Sequence, residues 1–157
     1  MNYQFQFDRI TKNIFVGPYP PDQESILQLK NQHGVTAILN LQSDDDLRRR
    51  GILWDRIWGF YTAHNIIVER VPIIDFAKAD LQQQLGRAVS ALHRMLSEHH
   101  TVYVHCNAGI NRSPTVTIAY LAEHAGMSLT EAELFVTSRR ECMPYTDVVQ
   151  AWQSTRR

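Results

Sequence analysis

A nine-residue loop, His-Cys-Asn-Ala-Gly-Ile-Asn-Arg-Ser at positions 105–113, constrains the fold of this chain more than any other stretch. The residues before it, 101–104, are apolar or β-branched and predict a buried strand. The residues after it, 114–121, predict a helix with Ser113 as its N-cap and Pro114 as its first helical residue. A strand, a short loop and a helix N-terminus form an anion-binding cradle, because the first N–H groups of a helix have no partner within it. We call residues 105–113 the cysteine loop.

The alternation of strand and helix patterns along the chain predicts the fold class. Strand-like apolar runs lie at residues 10–17, 35–41, 66–71 and 101–104, with helical patterns between and after them. This order predicts an α/β fold with a central, largely parallel sheet of four to five strands flanked by helices. The cysteine loop would then lie at the carboxyl edge of the sheet, where such folds bind ligands. We expect a single domain over residues 1–157.

Two acidic segments are expected to serve helix ends. Asp80, followed by Gln83 three residues later, predicts an N-cap and its reciprocal partner for a helix over residues 81–98. In residues 43–51 three aspartates precede three arginines, an order that suits the dipole of a short helix. We prefer this helical interpretation to a metal site or a basic docking patch.

The composition argues against several classes of partner. The 16 basic residues balance the 16 acidic residues, which gives no general attraction to nucleic acid. No apolar run reaches the length of a membrane span, and residues 1–5 lack the pattern of a secretory signal. Two cysteines, Cys106 and Cys142, do not make a disulfide framework and fit a reducing compartment. We expect a monomer in the cytoplasm.

Cys106 has the surroundings of a nucleophile. The helix N-terminus and Arg112 favour the thiolate, which is the reactive form of cysteine. Arg112 can bind two phosphate oxygens through its planar guanidinium, a geometry that lysine does not reproduce. Backbone N–H groups of the loop can hold the remaining oxygens, and Gly109 permits backbone conformations closed to other residues. The predicted phosphate-binding residues are Asn107, Ala108, Gly109, Ile110, Asn111 and Arg112.

Phosphoryl transfer to sulfur requires an acid for the leaving oxygen and a base for the hydrolytic step. The candidates are Asp75, Asp80 and, less favourably, Asp44, Asp45 and Asp46. We select Asp75, because Asp80 is already accounted for as a helix cap. Ser113 is placed to donate a hydrogen bond to the Cys106 sulfur and to ease its departure.

The chemistry requires no metal ion and no other cofactor. The histidines show no metal-ligand spacing, so His105 is expected to orient the loop. A catalytically silent phosphate-binding module is the alternative class, although none of the required residues is missing. Cys142 could form a reversible disulfide with an oxidised Cys106, but the sequence gives no distance between them.

An aromatic stripe allows two interpretations. Trp54, Trp58 and Tyr61 are spaced to share one face of a helix. Packing in the core is the preferred interpretation, and a wall beside the active site is the alternative.

The pattern His-Cys-x5-Arg-Ser resembles the signature loop of the cysteine-dependent protein tyrosine and dual-specificity phosphatases. With Asp75 upstream and a chain of this length, the resemblance is to the dual-specificity branch. It implies a phosphatase that works through a phosphocysteine, with a phosphorylated protein as one class of substrate.

Several segments resemble the glucan phosphatases, the laforin and plant starch-phosphatase group. They are residues 37–42 followed by Asp46 and Leu47, the pair Asp75 and Phe76, and residues 102–109. This resemblance implies a phosphorylated glucan as substrate, with Phe76, and Trp58 or Tyr61, stacked on sugar rings.

Two positions depart from the glucan phosphatase pattern. Asn111 stands where those enzymes usually have glycine, and Met143 where the plant enzymes have an aromatic residue. General protein dual-specificity phosphatases accept a polar residue before the arginine, so both substrate classes stay open. Phosphoinositides rank third, because the interior of the cysteine loop is neutral.

Overall fold

The structure, a computed structural model that describes residues 5–156, has a five-stranded sheet flanked by helices. The strands are β1 Asp8–Thr11, β2 Ile14–Gly17, β3 Ala37–Asn40, β4 Ile67–Arg70 and β5 Val102–His105. The helices are α1 Gln23–His33, α2 Asp44–Arg49, α3 Trp54–Ala63, α4 Lys78–Ser97, α5 Arg112–His124, α6 Leu129–Thr137 and α7 Thr146–Thr155. Within residues 5–156, none of these helices has the length and apolar character needed to cross a lipid bilayer.

The strand order is β1-β2-β5-β3-β4, and only β1 runs antiparallel to its neighbour. This arrangement confirms the predicted α/β class with a largely parallel sheet. The central strand β5 is buried on both faces because Val102 and Val104 belong to one core cluster and Tyr103 to the other. The first cluster packs the sheet against α4 to α7, and the second packs it against α1 and α3.

The segment predicted as one strand over residues 10–17 is a hairpin. Strands β1 and β2 pair antiparallel, with Thr11 opposite Ile14 and a turn at Lys12 and Asn13. The turn contains neither glycine nor proline, which is why the apolar pattern gave no sign of it.

Residues close in sequence cap two of the helices. Asp22 caps α1, Gly34 ends it with a left-handed φ of 71°, and Ser128 opens α6 with a capping box. The predicted cap of α4 is wrong. That helix begins at Lys78 after Ala77, and the Asp80 carboxylate accepts a hydrogen bond from the Ile74 N–H at 2.8 Å instead.

Candidate active site

The cysteine loop joins the central strand β5 to α5. Its first residue, His105, ends β5, and Cys106 follows it at the carboxyl edge of the sheet with 2% of its surface exposed. Helix α5 begins at Arg112, so Ser113 lies in its first turn. The prediction of Ser113 as the N-cap and Pro114 as the first helical residue is therefore wrong. The N-cap position belongs to Asn111, which makes no side-chain cap bond.

A cavity of about 570 Å³ opens over the loop. Its lining residues are Arg50, Asp75, Phe76, Cys106, Asn107, Ala108, Ile110, Asn111, Arg112, Met143 and Tyr145. Five of the six predicted phosphate-binding residues therefore face one cavity, together with the predicted nucleophile and acid. Gly109 lies outside the lining, with a left-handed φ of 70° that turns the backbone toward Gly17.

Ser113 contacts the predicted nucleophile directly. Its Oγ lies 3.4 Å from the Cys106 Sγ, and both side chains are buried. Hydroxyl donation at this distance stabilises a thiolate more than a thiol, because the charged acceptor makes the stronger hydrogen bond.

Arg112 is held rigidly beneath the cavity. Its Nη1 donates to Asp46 Oδ2 and to the Ile73 carbonyl, both at 2.7 Å, and its Nη2 lies 3.3 Å from Asp75 Oδ2. Its Nε is buried and has no hydrogen-bond partner among residues 5–156. Because Arg112 lines the cavity, a phosphate oxygen that reached this donor would displace no bond of the protein.

Asp46 contacts both Arg112 and Asn107, a positioning role that its sequence pattern did not reveal. Its second oxygen accepts from Asn107 Nδ2 at 2.9 Å, and the same carboxylate completes the capping box of α2 with Ser43. Burial alone would raise the pKa of Asp46, but the hydrogen bonds from Arg112, Asn107 and the Ser43 backbone outweigh it and lower the pKa to about 2. Gln42 extends the network by donating to Asn107 Oδ1 at 3.0 Å.

The predicted acid and the residue after it lie at the cavity wall. The Asp75 side chain is 26% exposed and contacts Arg112, so a carboxyl group stands beside the proposed phosphate position. Phe76 is 80% exposed and has a φ of 58°. Asp80 is not part of the cavity lining, and its bond to the Ile74 N–H anchors the segment that carries Asp75.

The two other aromatic candidates do not reach the cavity. Tyr61 is 1% exposed and belongs to the second core cluster, so its proposed place in a substrate wall is wrong. Trp58 is half exposed on α3, but it is absent from the cavity lining. The core interpretation therefore holds for Tyr61 and not for Trp58, although the two residues were predicted to share one face of the helix.

His105 contacts the backbone of the cysteine loop. Its Nδ1 donates to the Cys106 carbonyl at 3.0 Å, and the side chain is 2% exposed. Burial lowers the pKa of His105 to about 4, although the bond to the Cys106 backbone opposes the shift and the charge of Arg112 reinforces it. The ring is therefore neutral at pH 7.

Arg140 is a second positioning residue that the sequence did not reveal. Its Nε donates to the Gly109 carbonyl at 2.7 Å and its Nη2 to the Ala108 carbonyl at 3.2 Å, while Nη1 binds Asp8. Because the C=O and N–H of a peptide unit point in opposite directions, these bonds turn the N–H groups of Gly109 and Ile110 away from Arg140. No sequence pattern links position 140 to a loop 31 residues away.

Cys142 lies outside the cavity lining and is half-buried. Burial raises the pKa of its thiol, which disfavours the reactive thiolate. Among residues 5–156 there is no group of three or more His, Cys, Asp or Glu side chains that could hold a metal ion.

Comparison with known proteins gives a consistent result. The family described as "Dual specificity phosphatase, catalytic domain" matches residues 14–152. Mouse laforin is 31% identical over 144 residues, which cover 85% of this chain and 44% of laforin. The phosphoglucan phosphatase DSP4, amyloplastic, of Castanea sativa is 33% identical over 153 residues, which cover 96% of this chain and 40% of that protein. The chain thus spans less than half the length of these two relatives.

The fold also has solved counterparts. The crystal structure of Cydia pomonella PTP-2 phosphatase superposes with a TM-score of 0.76 at 23% identity, covering 96% of this chain and 90% of that one. At this level of identity the likeness concerns the fold.

Proposed function

Because this chain belongs to the dual specificity phosphatase catalytic-domain family, we propose that it hydrolyses phosphomonoesters through a phosphocysteine. The Cys106 thiolate attacks phosphorus, and an S–P bond forms as the P–O bond to the leaving group breaks. The Asp75 carboxyl group gives its proton to the departing oxygen. Arg112 and the loop N–H groups hold the other three oxygens and stabilise the charge that they carry in the transition state.

The second step restores the enzyme. The Asp75 carboxylate accepts a proton from water as the water oxygen attacks phosphorus, and the S–P bond breaks to release phosphate. Ser113 Oγ donates a hydrogen bond to the sulfur as it becomes a thiolate again. The observation that carries this proposal is the convergence of Cys106, Arg112 and Asp75 on one cavity.

Phosphate release from para-nitrophenyl phosphate tests the reaction. Cys106→Ser should abolish turnover, because serine remains protonated and is a far weaker nucleophile. Cys142→Ser is the matched control, since Cys142 lies outside the cavity, and it should retain activity. Turnover that survives in Cys106→Ser would contradict the phosphocysteine mechanism. Phosphate binding without turnover by the unaltered protein would instead favour the phosphate-binding module.

A phosphorylated glucan is the substrate that the wall of the cavity favours. Phe76 is a bulky residue in the left-handed region, a conformation that costs roughly 1 kcal/mol or more, and its ring is exposed. A conformation of this kind beside a candidate acid points to a functional role, here a flat apolar face for a sugar ring. Two of the relatives are named as laforin and as a phosphoglucan phosphatase, which supports the same substrate.

Phosphorylated amylopectin compared with phosphotyrosine and phosphothreonine peptides tests this choice. We expect a higher kcat/KM on the glucan and a selective loss of that advantage in Phe76→Ala. Leu134→Ala is the control, because Leu134 is 68% exposed on α6 and outside the cavity. Equal loss on glucan and peptide, or faster turnover of peptides by the unaltered protein, would assign the domain to phosphoproteins.

The oligomeric state and the location stay predictions from the sequence. We expect the chain to elute as a monomer in gel filtration and a fluorescent fusion to distribute through the cytoplasm. A dimer that persists on dilution would contradict the first expectation.

A further inference from the structure

Helix α2 and the residue after it, Arg50, contain three aspartates and three arginines, and one of the arginines lacks an ion-pair partner among the residues that the structure describes. Each of the three aspartates has an arginine partner: Asp44 pairs with Arg70 at 3.0 Å, Asp45 with Arg48 and Arg49 at 3.2 and 2.7 Å, and Asp46 with Arg112 at 2.7 Å. Arg50, the last base of the run, lies within ion-pair distance of no carboxylate in residues 5–156. The charge run is therefore neutralised except at its end.

Arg50 contributes to two neighbouring cavities. It lines the active-site cavity and also a second cavity of about 240 Å³ next to it. Its guanidinium lies 5.6 Å from the ring centroid of Tyr19, within the range of a cation–π contact. The Tyr19 N–H in turn donates to the Asn107 carbonyl at 3.1 Å, so the aromatic support of Arg50 is attached to the cysteine loop.

The second cavity contains another arginine without an acidic partner. Arg56 projects from α3 into its lining and, like Arg50, forms no ion pair with a carboxylate in the described part of the chain. Asp22 is the one acidic residue of the lining, and its Oδ1 is already engaged by the Ser25 N–H and hydroxyl at 2.8 and 2.7 Å. Tyr19, Pro20, Ile26, Ile52, Leu53, Ile57 and Phe60 supply aromatic and aliphatic walls.

We propose that Arg50 and Arg56 form a second anion site, which receives another phosphate of the substrate while the first is bound over Cys106. Guanidinium groups suit this task, because each presents two parallel N–H donors to phosphate oxygens. The inference rests on the proposed phosphatase function and makes its substrate more specific: the preferred substrate is a glucan chain with phosphates on two of its sugars. Tyr19 and the aliphatic walls offer apolar faces to the intervening sugar.

The test compares maltooligosaccharides of equal length that carry one phosphate or two. For the unaltered protein we expect kcat/KM to be about tenfold higher on the doubly phosphorylated sugar, well above the roughly twofold effect of having two groups to attack. We call kcat/KM on the doubly phosphorylated sugar divided by kcat/KM on the singly phosphorylated sugar the ratio. Arg50→Ala and Arg56→Ala should each reduce this ratio toward twofold, and Arg50→Lys should keep it between twofold and the value of the unaltered protein. Salt should reduce the ratio for the unaltered protein, because both arginines are exposed.

Arg48→Ala is the matched control. Arg48 is an exposed base of the same short helix, but it is paired with Asp45 and absent from both cavities, so this variant should keep the full ratio. Hydrolysis of both sugars with the same ratio in all variants would overturn the second anion site and leave the glucan assignment intact. Turnover of para-nitrophenyl phosphate without turnover of either sugar would overturn both. A preference for doubly over singly phosphorylated peptides that exceeds any preference among the sugars would overturn the glucan as occupant.

Discussion

The Asp46 carboxylate and the Arg112 guanidinium form an ion pair at 2.7 Å with both side chains buried. The same carboxylate binds Asn107. One side chain of α2 therefore contacts both the residue after the predicted nucleophile and the arginine that ends the predicted phosphate-binding run. The shape of the cysteine loop is thus fixed by a residue that need not touch the phosphate. Preorganisation of this kind spares the site a rearrangement when substrate binds.

Asp46→Asn is expected to destabilise the protein by about 3 kcal/mol, because it leaves the positive charge of Arg112 buried without its partner. We also expect at least about a tenfold loss of kcat/KM on para-nitrophenyl phosphate. Without the charged partner of its Nη1, the Arg112 side chain is held less firmly in the position that binds phosphate. Urea unfolding and steady-state kinetics measure the two effects. Asp45→Asn is the control, because its ion pairs are exposed, and it should change the unfolding free energy by less than about 1 kcal/mol. Equal effects of the two variants would contradict the positioning role.

Asp75→Asn should separate substrates by their leaving groups. A poor leaving group needs the proton, so hydrolysis of an alkyl phosphate should fall by roughly 10²- to 10⁴-fold. An aryl phosphate with an acidic phenol leaves without that proton and should be affected far less in the first step. The same comparison with Asp80→Asn is the control, since Asp80 lies outside the cavity lining and binds the Ile74 N–H. A leaving-group effect that appears in Asp80→Asn instead would move the acid to that residue.

Gly109→Ala should be much more harmful than a substitution at another left-handed glycine. A Cβ at Gly109 would lie 2.5 Å from the Gly17 carbonyl oxygen and 2.8 Å from Arg140 Nη2, so the loop would have to shift. Gly126 has a similar φ of 72° but nothing within 4 Å of the added carbon, and Gly126→Ala should cost only the backbone strain of about 1–2 kcal/mol. Thermal unfolding and phosphatase kinetics distinguish the two. Similar losses of activity in both variants would show that strain, and not the contact with Gly17, decides the outcome.

The sequence predicted those features whose causes are local, and missed those that depend on contacts between distant segments. The strand before Cys106 and the helix after the cysteine loop follow from neighbouring residues, and both are present. Asp46 and Arg140 meet the cysteine loop only because the parallel sheet and the packed helices bring them there.

Local sequence patterns did not decide between two structural interpretations of the same residues. Asp80 has the spacing of a helix cap, yet the chain turns so that α4 begins before it and its carboxylate binds the Ile74 N–H. Asp75 stays the predicted acid, now for a different reason: it lines the cavity, whereas Asp80 does not. The stripe that contains Tyr61 could pack inward or face the substrate, and only the position of α3 on the sheet decides it.

The buried neutral His105 should make stability depend on pH between about 4 and 6.5. Burial lowers its pKa in the folded protein to about 4, whereas the unfolded chain protonates near the ordinary value of 6.5. Below pH 6.5 the unfolded state therefore binds a proton that the folded state does not bind, and the unfolding free energy decreases as the pH falls toward 4. From pH 7 to pH 5 we expect a loss of about 2 kcal/mol in the unfolding free energy.

Urea unfolding of the wild type and His105→Gln at both pH values gives the measurement, with the variant showing the smaller pH dependence. His124, whose pKa is lowered by burial and by His93, contributes in the same direction in both proteins, so the difference between them isolates His105. Parallel pH profiles for the two proteins would show that the buried ring is not the source.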